Sequence, residues 1–354
     1  MHYDYLVVGR GLAGSLLSYF LIRNGRRVIV YDHTEQPKAS NAAAGIFNPF
    51  TGRKLVKTWM ADDLFPFLVD FYHKLEQDLE IKVMHKMPMY RPFLTLQEQN
   101  DWGAKIHDLA YSQYIDSIVG PEERISEVAN PLGGMMLQQC GFVDIGALIE
   151  GVKRYLIQNN SLQQQPLSIK DLELEQDYVV YGQHRAARIV FCEGPWLEMN
   201  HYFNWLPLRP VKGEILEVEL RDPLSFIVNR GIFILPVNGR ISLVGATFDH
   251  QNLDWSITEA ARDQLEVKLK KLLKIPYKII GQRAGIRPAS ADRRPLIGIH
   301  PEFEPLAVFN GLGTKGVSLA PYLIYRFFEF IEKGEPLIPE VSISRYFSLY
   351  YSKN

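Results

Sequence analysis

Two cations toward the C-terminal end of the chain sit in sequences that constrain what they can do. Arg287 lies in GIRPAS. An arginine held by a following proline presents a rigid two-pronged donor to a carboxylate. Pairing with an acid such as Asp292, or with a cofactor phosphate, would use the same group differently. Lys315 lies in NGLGTKGVSLAP, residues 310–321, where Gly311, Gly313 and Gly316 follow the spacing G-x-G-x-x-G. The strand-like LAVFN precedes it, and a helical pattern from about Val317 to Ile331 follows. A glycine turn that aims a helix N-terminus, with a lysine inside it, suits negative charge. The plainer reading is a helix-start turn with a solvated lysine.

The same glycine spacing occurs near the other end, in VVGRGLAG, as Gly9, Gly11 and Gly14. YDYLVVG reads as a buried strand. LAGSLLSYFLIRNG reads as a helix with Leu16, Leu17, Phe20 and Leu21 on one face and Gly25 as its stop. RRVIVYD is a second strand ending in Asp32, 18 residues beyond Gly14. This is a βαβ unit with glycines at its first turn, the arrangement that holds a dinucleotide. Gly9 allows the tight turn, Gly11 lets the backbone approach a pyrophosphate, and Gly14 lets the helix pack on the strand. The helix start at Leu12 and Ala13 offers free N–H groups to the phosphates, and Asp32 can accept from ribose hydroxyls. The pattern does not separate NAD from FAD.

The C-terminal copy lacks the second half of such a unit. Two prolines interrupt EKGEPLIPEVSI, and no apolar run ends there in an acid. Its turn, Gly313, Thr314, Lys315 and Gly316, instead suits the N1–C2=O2 edge of a flavin, which becomes negative when a hydride arrives. One end of the chain then binds the pyrophosphate of FAD and the other meets its reactive ring.

Motifs in order along nearly the whole chain resemble the D-amino-acid oxidase / glycine oxidase / sarcosine oxidase superfamily of FAD-dependent oxidoreductases. They are the N-terminal fingerprint, ASNAAAGIFNP, GFVDIGALIEGVKRYL, ARIVFCEGPW, RPVKGEILEVEL, GIFILPVNGRISLVGAT, AGIRPASADRRPLIG and NGLGTKGVSLAP. Within it, AAAGIFNPFTGRKLVKTW and GLGTKGVSLAP are most similar to the oxidoreductase half of the tRNA 5-methylaminomethyl-2-thiouridine biosynthesis bifunctional proteins.

The resemblance implies that Arg287 binds a substrate carboxylate over the flavin and that Lys315 matches the carboxylate-anchoring lysine of sarcosine oxidases. It places the small-residue loop of Ser40, Ala43, Ala44 and Gly45 against flavin atoms, and Gly194 beside the cofactor. Relatives with covalent FAD use a histidine near position 42 or a cysteine in the C-terminal half. Here Ala42 stands at the first and no cysteine follows Cys192, so non-covalent FAD is expected. The implied reaction is hydride transfer from the α-carbon of a small amine or amino acid to flavin N5. It needs no strong general base, and molecular oxygen or another acceptor takes the electrons. Two alternatives stand beside it: FAD-dependent oxidation of the carboxymethylaminomethyl group on a tRNA wobble uridine, and a non-catalytic flavin-binding subunit.

To position these residues the chain must be α/β, with a Rossmann-like, discontinuous FAD-binding domain from residues 1–55, 142–204 and 283–335. Insertions 56–141 and 205–282 form a second, α+β substrate domain on a mixed or antiparallel sheet, and 336–354 is a tail. A helix around DDLFPFLVDFYHKLEQDL is expected to break at Pro66, and Asn238-Gly239 to turn a hairpin.

The chain has 354 residues, 47% hydrophobic, 22% charged, with a net charge of −1. That suits two domains and argues against nucleic acid as a partner, though tRNA stays open. Arg53, Lys54 and Lys57 form a small basic cluster, read either as a solvated helix start or as a contact for an anionic substrate or RNA. Cys140 and Cys192 are too far apart for a C-x-x-C motif, and Cys192 reads as core. The nine histidines form no metal-binding spacing, so no metal is expected. No run of about 18 uncharged apolar residues is present, and the expected compartment is the cytoplasm.

Overall fold

The computed structural model describes residues 1–52, 56–121 and 125–352. Its first sheet grows from the N-terminal strand His2–Val8, whose last four residues are buried. Parallel neighbours are Val28–Tyr31 on one side and His184–Phe191 on the other. Leu162–Gln163 extends the sheet beyond Val28–Tyr31, and Leu306–Asn310 pairs in parallel with His184–Phe191. Strands buried on both faces read as continuous apolar runs, as VIVY and LAVFN do.

Helices cover this sheet. Leu12–Arg23 buries Leu16, Leu17 and Leu21 and packs on Gly316–Lys333. Ala61–Leu79 packs on that same C-terminal helix, and Tyr72 donates from its hydroxyl to the Val317 carbonyl at 3.0 Å. The expected break at Pro66 does not occur. Proline removes one backbone bond, but Leu64, Phe65, Leu68, Phe71, Tyr72 and Leu75 are buried along the same stripe, and their burial outweighs that loss. This helix, assigned by sequence to the substrate domain, thus lies against helices of the FAD half.

The second sheet runs in the order Tyr277–Arg287, Val211–Leu220, Ile241–Gly245, Phe233–Asn238, Ile227–Asn229, Met89–Pro92, Gly134–Leu137, Ile115–Val119. Its pairings are antiparallel except that of Ile227–Asn229 with Met89–Pro92. Strands from both insertions contribute, and the Asn238-Gly239 hairpin forms. The expected boundary at 282/283 falls inside the single strand Tyr277–Arg287. One face of the sheet, with Tyr90, Leu216, Val218, Val228, Ile234 and Val244, is buried under Leu265 and Leu269 of the helix Glu259–Leu272. Thr258 caps that helix by accepting from Ala261 N. Strand alternation turns the intervening residues toward the first sheet.

The segment expected as a tail packs closely. Ile297 donates to the Val341 carbonyl at 3.0 Å, and Val341 and Ile343 are buried. Among the described residues no helix is long and apolar enough to cross a membrane.

Candidate functional site

Between the two sheets lies a cavity of about 1270 Å³. The first strand delivers the N-terminal glycine loop to it. Gly9 turns the chain at φ +92°, and a Cβ on Gly14 would lie 1.9 Å from the Gly9 carbonyl oxygen. Only glycine permits that approach of helix to strand. Gly14 thus acts by packing, while Gly9, Gly11, Leu12 and Ala13 line the cavity.

Val28–Tyr31 delivers Asp32, which is 1% exposed. Its Oδ1 accepts from the Arg10 backbone N–H at 2.9 Å. Its Oδ2 faces Arg10 Nε at 3.4 Å and Lys38 Nζ at 3.3 Å, yet is buried and completes no hydrogen bond among the described residues. A buried carboxylate oxygen with unused acceptor capacity calls for a donor.

The second loop follows Asp32. Ser40, Ala43, Ala44 and Gly45 all line the cavity. Ser40 acts through its side chain: Oγ accepts from the Leu12 backbone N–H at 3.0 Å, which caps the first helix. The Leu12 N–H, expected to be free for a phosphate, is thus already engaged by Ser40, a detail the sequence did not reveal. Gly194 lines the cavity from the opposite wall. Beside it, Glu193 accepts from Asn200 at 2.8 Å, and burial pushes its carboxyl up to about 7.

Arg287 ends the strand Tyr277–Arg287 and lines the cavity. Its guanidinium lies where a side chain on Gly213 of the adjacent strand would be: a Cβ there would meet Nη2 at 1.9 Å. Nη1 donates to the Thr247 carbonyl at 3.2 Å, and the group sits 4.7 Å from the centre of the Phe248 ring. Among the described residues it pairs with no acid. Asp292 is taken by Arg345, Nε to Oδ2 at 2.9 Å, and by the Ser290 hydroxyl at 3.0 Å, which removes the alternative pairing considered for Arg287. Burial lowers Arg287 to about 10.

Pro288 ties this strand end to the C-terminal glycine loop, since its carbonyl accepts from Gly313 N at 3.1 Å. Gly313, Thr314, Lys315 and Gly316 all line the cavity. Lys315 occupies the N-cap of the helix Gly316–Lys333. Burial, and secondly the nearby Arg294, lower its ammonium to about 8. The structure thus brings every sequence-derived site residue except Gly14 to one cavity.

Three arginines were not singled out from sequence. Arg10 bridges Asp32 and the Ile149 carbonyl; the signal was a charge inside the glycine loop. Arg91 and Arg230 line the cavity beyond Phe233; the signal for Arg91 was a lone charge in the apolar run MYRPF. In the basic cluster, Lys57 pairs with Asp62 at 2.6 Å, while Arg53 and Lys54 lie outside the described residues. Cys192 is buried, as expected.

Comparison with known proteins gives consistent matches. The DAO family model, described as FAD dependent oxidoreductase, matches residues 4–323. An uncharacterized oxidoreductase of Bacillus subtilis is 26% identical, aligned over 90% of this chain and 92% of its own. The tRNA 5-methylaminomethyl-2-thiouridine biosynthesis bifunctional protein of Legionella pneumophila is 23% identical over 83% of this chain, which spans 45% of that protein. The crystal structure of glycine oxidase from Geobacillus kaustophilus superposes with a TM-score of 0.80 at 20% identity, covering 98% of each chain, and shares the fold of an FAD-binding domain with a mixed-sheet second domain.

Proposed function

Because the chain belongs to the DAO family of FAD dependent oxidoreductases, we propose that it oxidises a C–N bond of an amine bearing a carboxylate, an amino acid or N-substituted amino acid. The observation that carries this reading is Arg287, a half-buried guanidinium in the cavity with no acid beside it among the described residues. A cation so placed needs an anion, and a substrate carboxylate meets that need.

The residues present fit FAD. Asp32 Oδ2 completes no hydrogen bond among the described residues, and ribose hydroxyls provide donors. Glycine at positions 9 and 14 lets the turn pack tightly against Cys192 and the helix against the strand, which brings the helix N-terminus to the cavity where a phosphate would sit. Ala43, Ala44 and Gly45 form one wall and Gly313 to Gly316 another. FAD bound there supplies the hydride acceptor. The cavity residues bind and orient the substrate: Arg287 and Lys315 fix the carboxylate, and with it the direction of the α-carbon hydrogen. Positioning of this kind accounts for much of catalysis when no covalent step falls to the protein. The substrate loses a hydride and a proton to become an imine, water hydrolyses the imine, and molecular oxygen is the final electron acceptor in this reading. FAD is held without a covalent bond, so acid precipitation is expected to leave all of the yellow colour in the supernatant; colour retained in the pellet would contradict this.

The reading is tested by anaerobic mixing with amino acids, N-methyl amino acids and the corresponding amines. Bleaching by carboxylate-bearing substrates alone is expected, and bleaching by none of the panel sinks the proposal.

The ammonium of Lys315, held down to about 8, gives a pH signature. It is charged below that value and neutral above, and a bound carboxylate favours the charged form. Affinity for an amine-free monocarboxylate such as propionate is therefore expected to fall as pH rises through about 8. Arg287 stays charged across that window. The fall should vanish in Lys315→Met. A pH-independent affinity in the wild-type protein would place Lys315 away from the carboxylate.

A further inference from the structure

Arg287 and Lys315 leave another buried cation of the same cavity without a task. Arg91, on the strand Met89–Pro92, is 4% exposed and lines the cavity. Its Nη2 donates to the Gly52 carbonyl at 2.6 Å, while Nε is buried with no hydrogen-bond partner among the described residues. Among the described residues it makes no ion pair. The acid that acts on it, Glu98, already receives both amino groups of Arg230, at 2.9 and 2.5 Å. Two guanidinium groups and one carboxylate leave a net positive charge in a buried place, and burial followed by repulsion from Arg230 lowers Arg91 to about 10. A buried charge with unused donors is unfavourable unless an anion joins it.

Strand register shows where that anion would lie. Gly213 pairs with Gly285 and Val211 with Arg287; Ile215 pairs with Gly245, and Gly245 with Phe233. Phe233 pairs with Asn229, and the parallel pairing of Ile227 with Met89, carried two residues on, sets Arg91 beside Asn229. Period-two alternation then puts Arg287, Gly213, Ile215, Gly245, Phe233 and Arg91 on one face, the face that lines the cavity. The two arginines stand at opposite ends of a floor of Gly213, Ile215, Gly245 and Phe233, with Asn229 beside Arg91. Five strand steps across the sheet, roughly 24 Å at about 4.8 Å per step, and an offset from Val211 to Ile215 of roughly 13 Å at about 3.3 Å per residue separate their backbones, less the inward reach of both side chains.

The geometry points to a second oxyanion subsite at Arg91: the substrate carries, besides the carboxylate at Arg287, a remote carboxylate or phosphate separated from it by an extended, largely apolar linker. This rests on the amine-oxidation reading and narrows it. Glycine and other short amino acids occupy only the Arg287 end, whereas the intended substrate spans the floor. Arg230, locked to Glu98, positions this subsite and keeps it positive.

Calorimetric titration of the FAD-loaded protein tests this without turnover. The probes are amine-free α,ω-dicarboxylates of increasing length, monocarboxylates of equal length, and ω-phosphonocarboxylates. A window of lengths is expected in which the second anion tightens binding about ten- to a hundredfold, as a charge-assisted bond does, and this gain is lost in Arg91→Gln. A larger gain for the phosphonate assigns the remote group as phosphate, and a larger gain for the dicarboxylate assigns it as carboxylate. If no length of second anion improves binding to wild type, or if the gain survives Arg91→Gln, the inference is overturned while the Arg287 reading stands. If monocarboxylates fail to bind, or bind equally well to Arg287→Met, the Arg287 reading falls and takes the inference with it. The comparison within wild type decides the matter even if the Arg91 variant does not fold.

Discussion

Replacing Arg287 by methionine is expected to lower kcat/KM for carboxylate-bearing amines by on the order of a hundredfold or more. The guanidinium is half-buried, donates to Thr247 and rests on Phe248, so the substrate anion would lose its charge-assisted partner inside the cavity. Removing one side of such a pair costs about 3–5 kcal/mol, which in kinetic terms is a loss of that size. Arg287→Lys should recover only part, because an ammonium cannot form the planar two-pronged contact. The control is the decarboxylated amine, whose slower reduction of the enzyme should be nearly the same in wild type and variant. Rapid-mixing reduction of each protein by each substrate reads this directly. If wild type reacts equally fast with amino acid and amine, the carboxylate plays no part.

A single methyl group at position 14 is expected to abolish FAD retention. In Gly14→Ala the new Cβ would sit 1.9 Å from the Gly9 carbonyl oxygen, a backbone atom that cannot swing aside. Helix and strand must separate, at a cost of about 3 kcal/mol, the upper end for overpacking. That movement opens the turn that receives the pyrophosphate. The same methyl placed at Gly103, inside the helix Leu96–Lys105 with nothing within 4 Å, should stabilise the protein by about 0.5–1 kcal/mol. Flavin-to-protein ratio and thermal midpoint, measured on both variants, separate the two. Full flavin content in Gly14→Ala would show that this loop is not the cofactor cradle.

The parts of this site legible in the sequence are those whose requirement is local. The glycine spacing at residues 9–14 and the strand ending in Asp32 are set by neighbours within one βαβ unit. The turn at 311–316 is likewise local, and its helix begins at Gly316, one residue from the expected start. What was not legible depends on partners far away in the chain. The Pro66 helix persists because its apolar stripe meets Gly316–Lys333, a contact no local pattern reveals. Ser40 meets Leu12 through its hydroxyl, 28 residues back. Asp292 belongs to Arg345 rather than Arg287, and the arginine that claims it lies in the supposed tail. Arg91 gains meaning only from a register that crosses six strands, four of them wholly from the other insertion.

The interleaving of the first sheet has a consequence for how the protein is made. Its neighbouring strands are His2–Val8, Val28–Tyr31, His184–Phe191 and Leu306–Asn310. A ribosome adding roughly 5–20 residues per second delivers the first of these many seconds before the last. The nascent N-terminal βαβ unit must wait without its inner neighbour, and the glycine loop at residue 9 has no opposing wall until Cys192 arrives. The loop at 311–316, which closes the other side of the cavity, is made about 300 residues after the first glycine loop. Flavin capture must therefore wait until that last loop has been made, and cells short of FAD should accumulate the folded domain without its flavin.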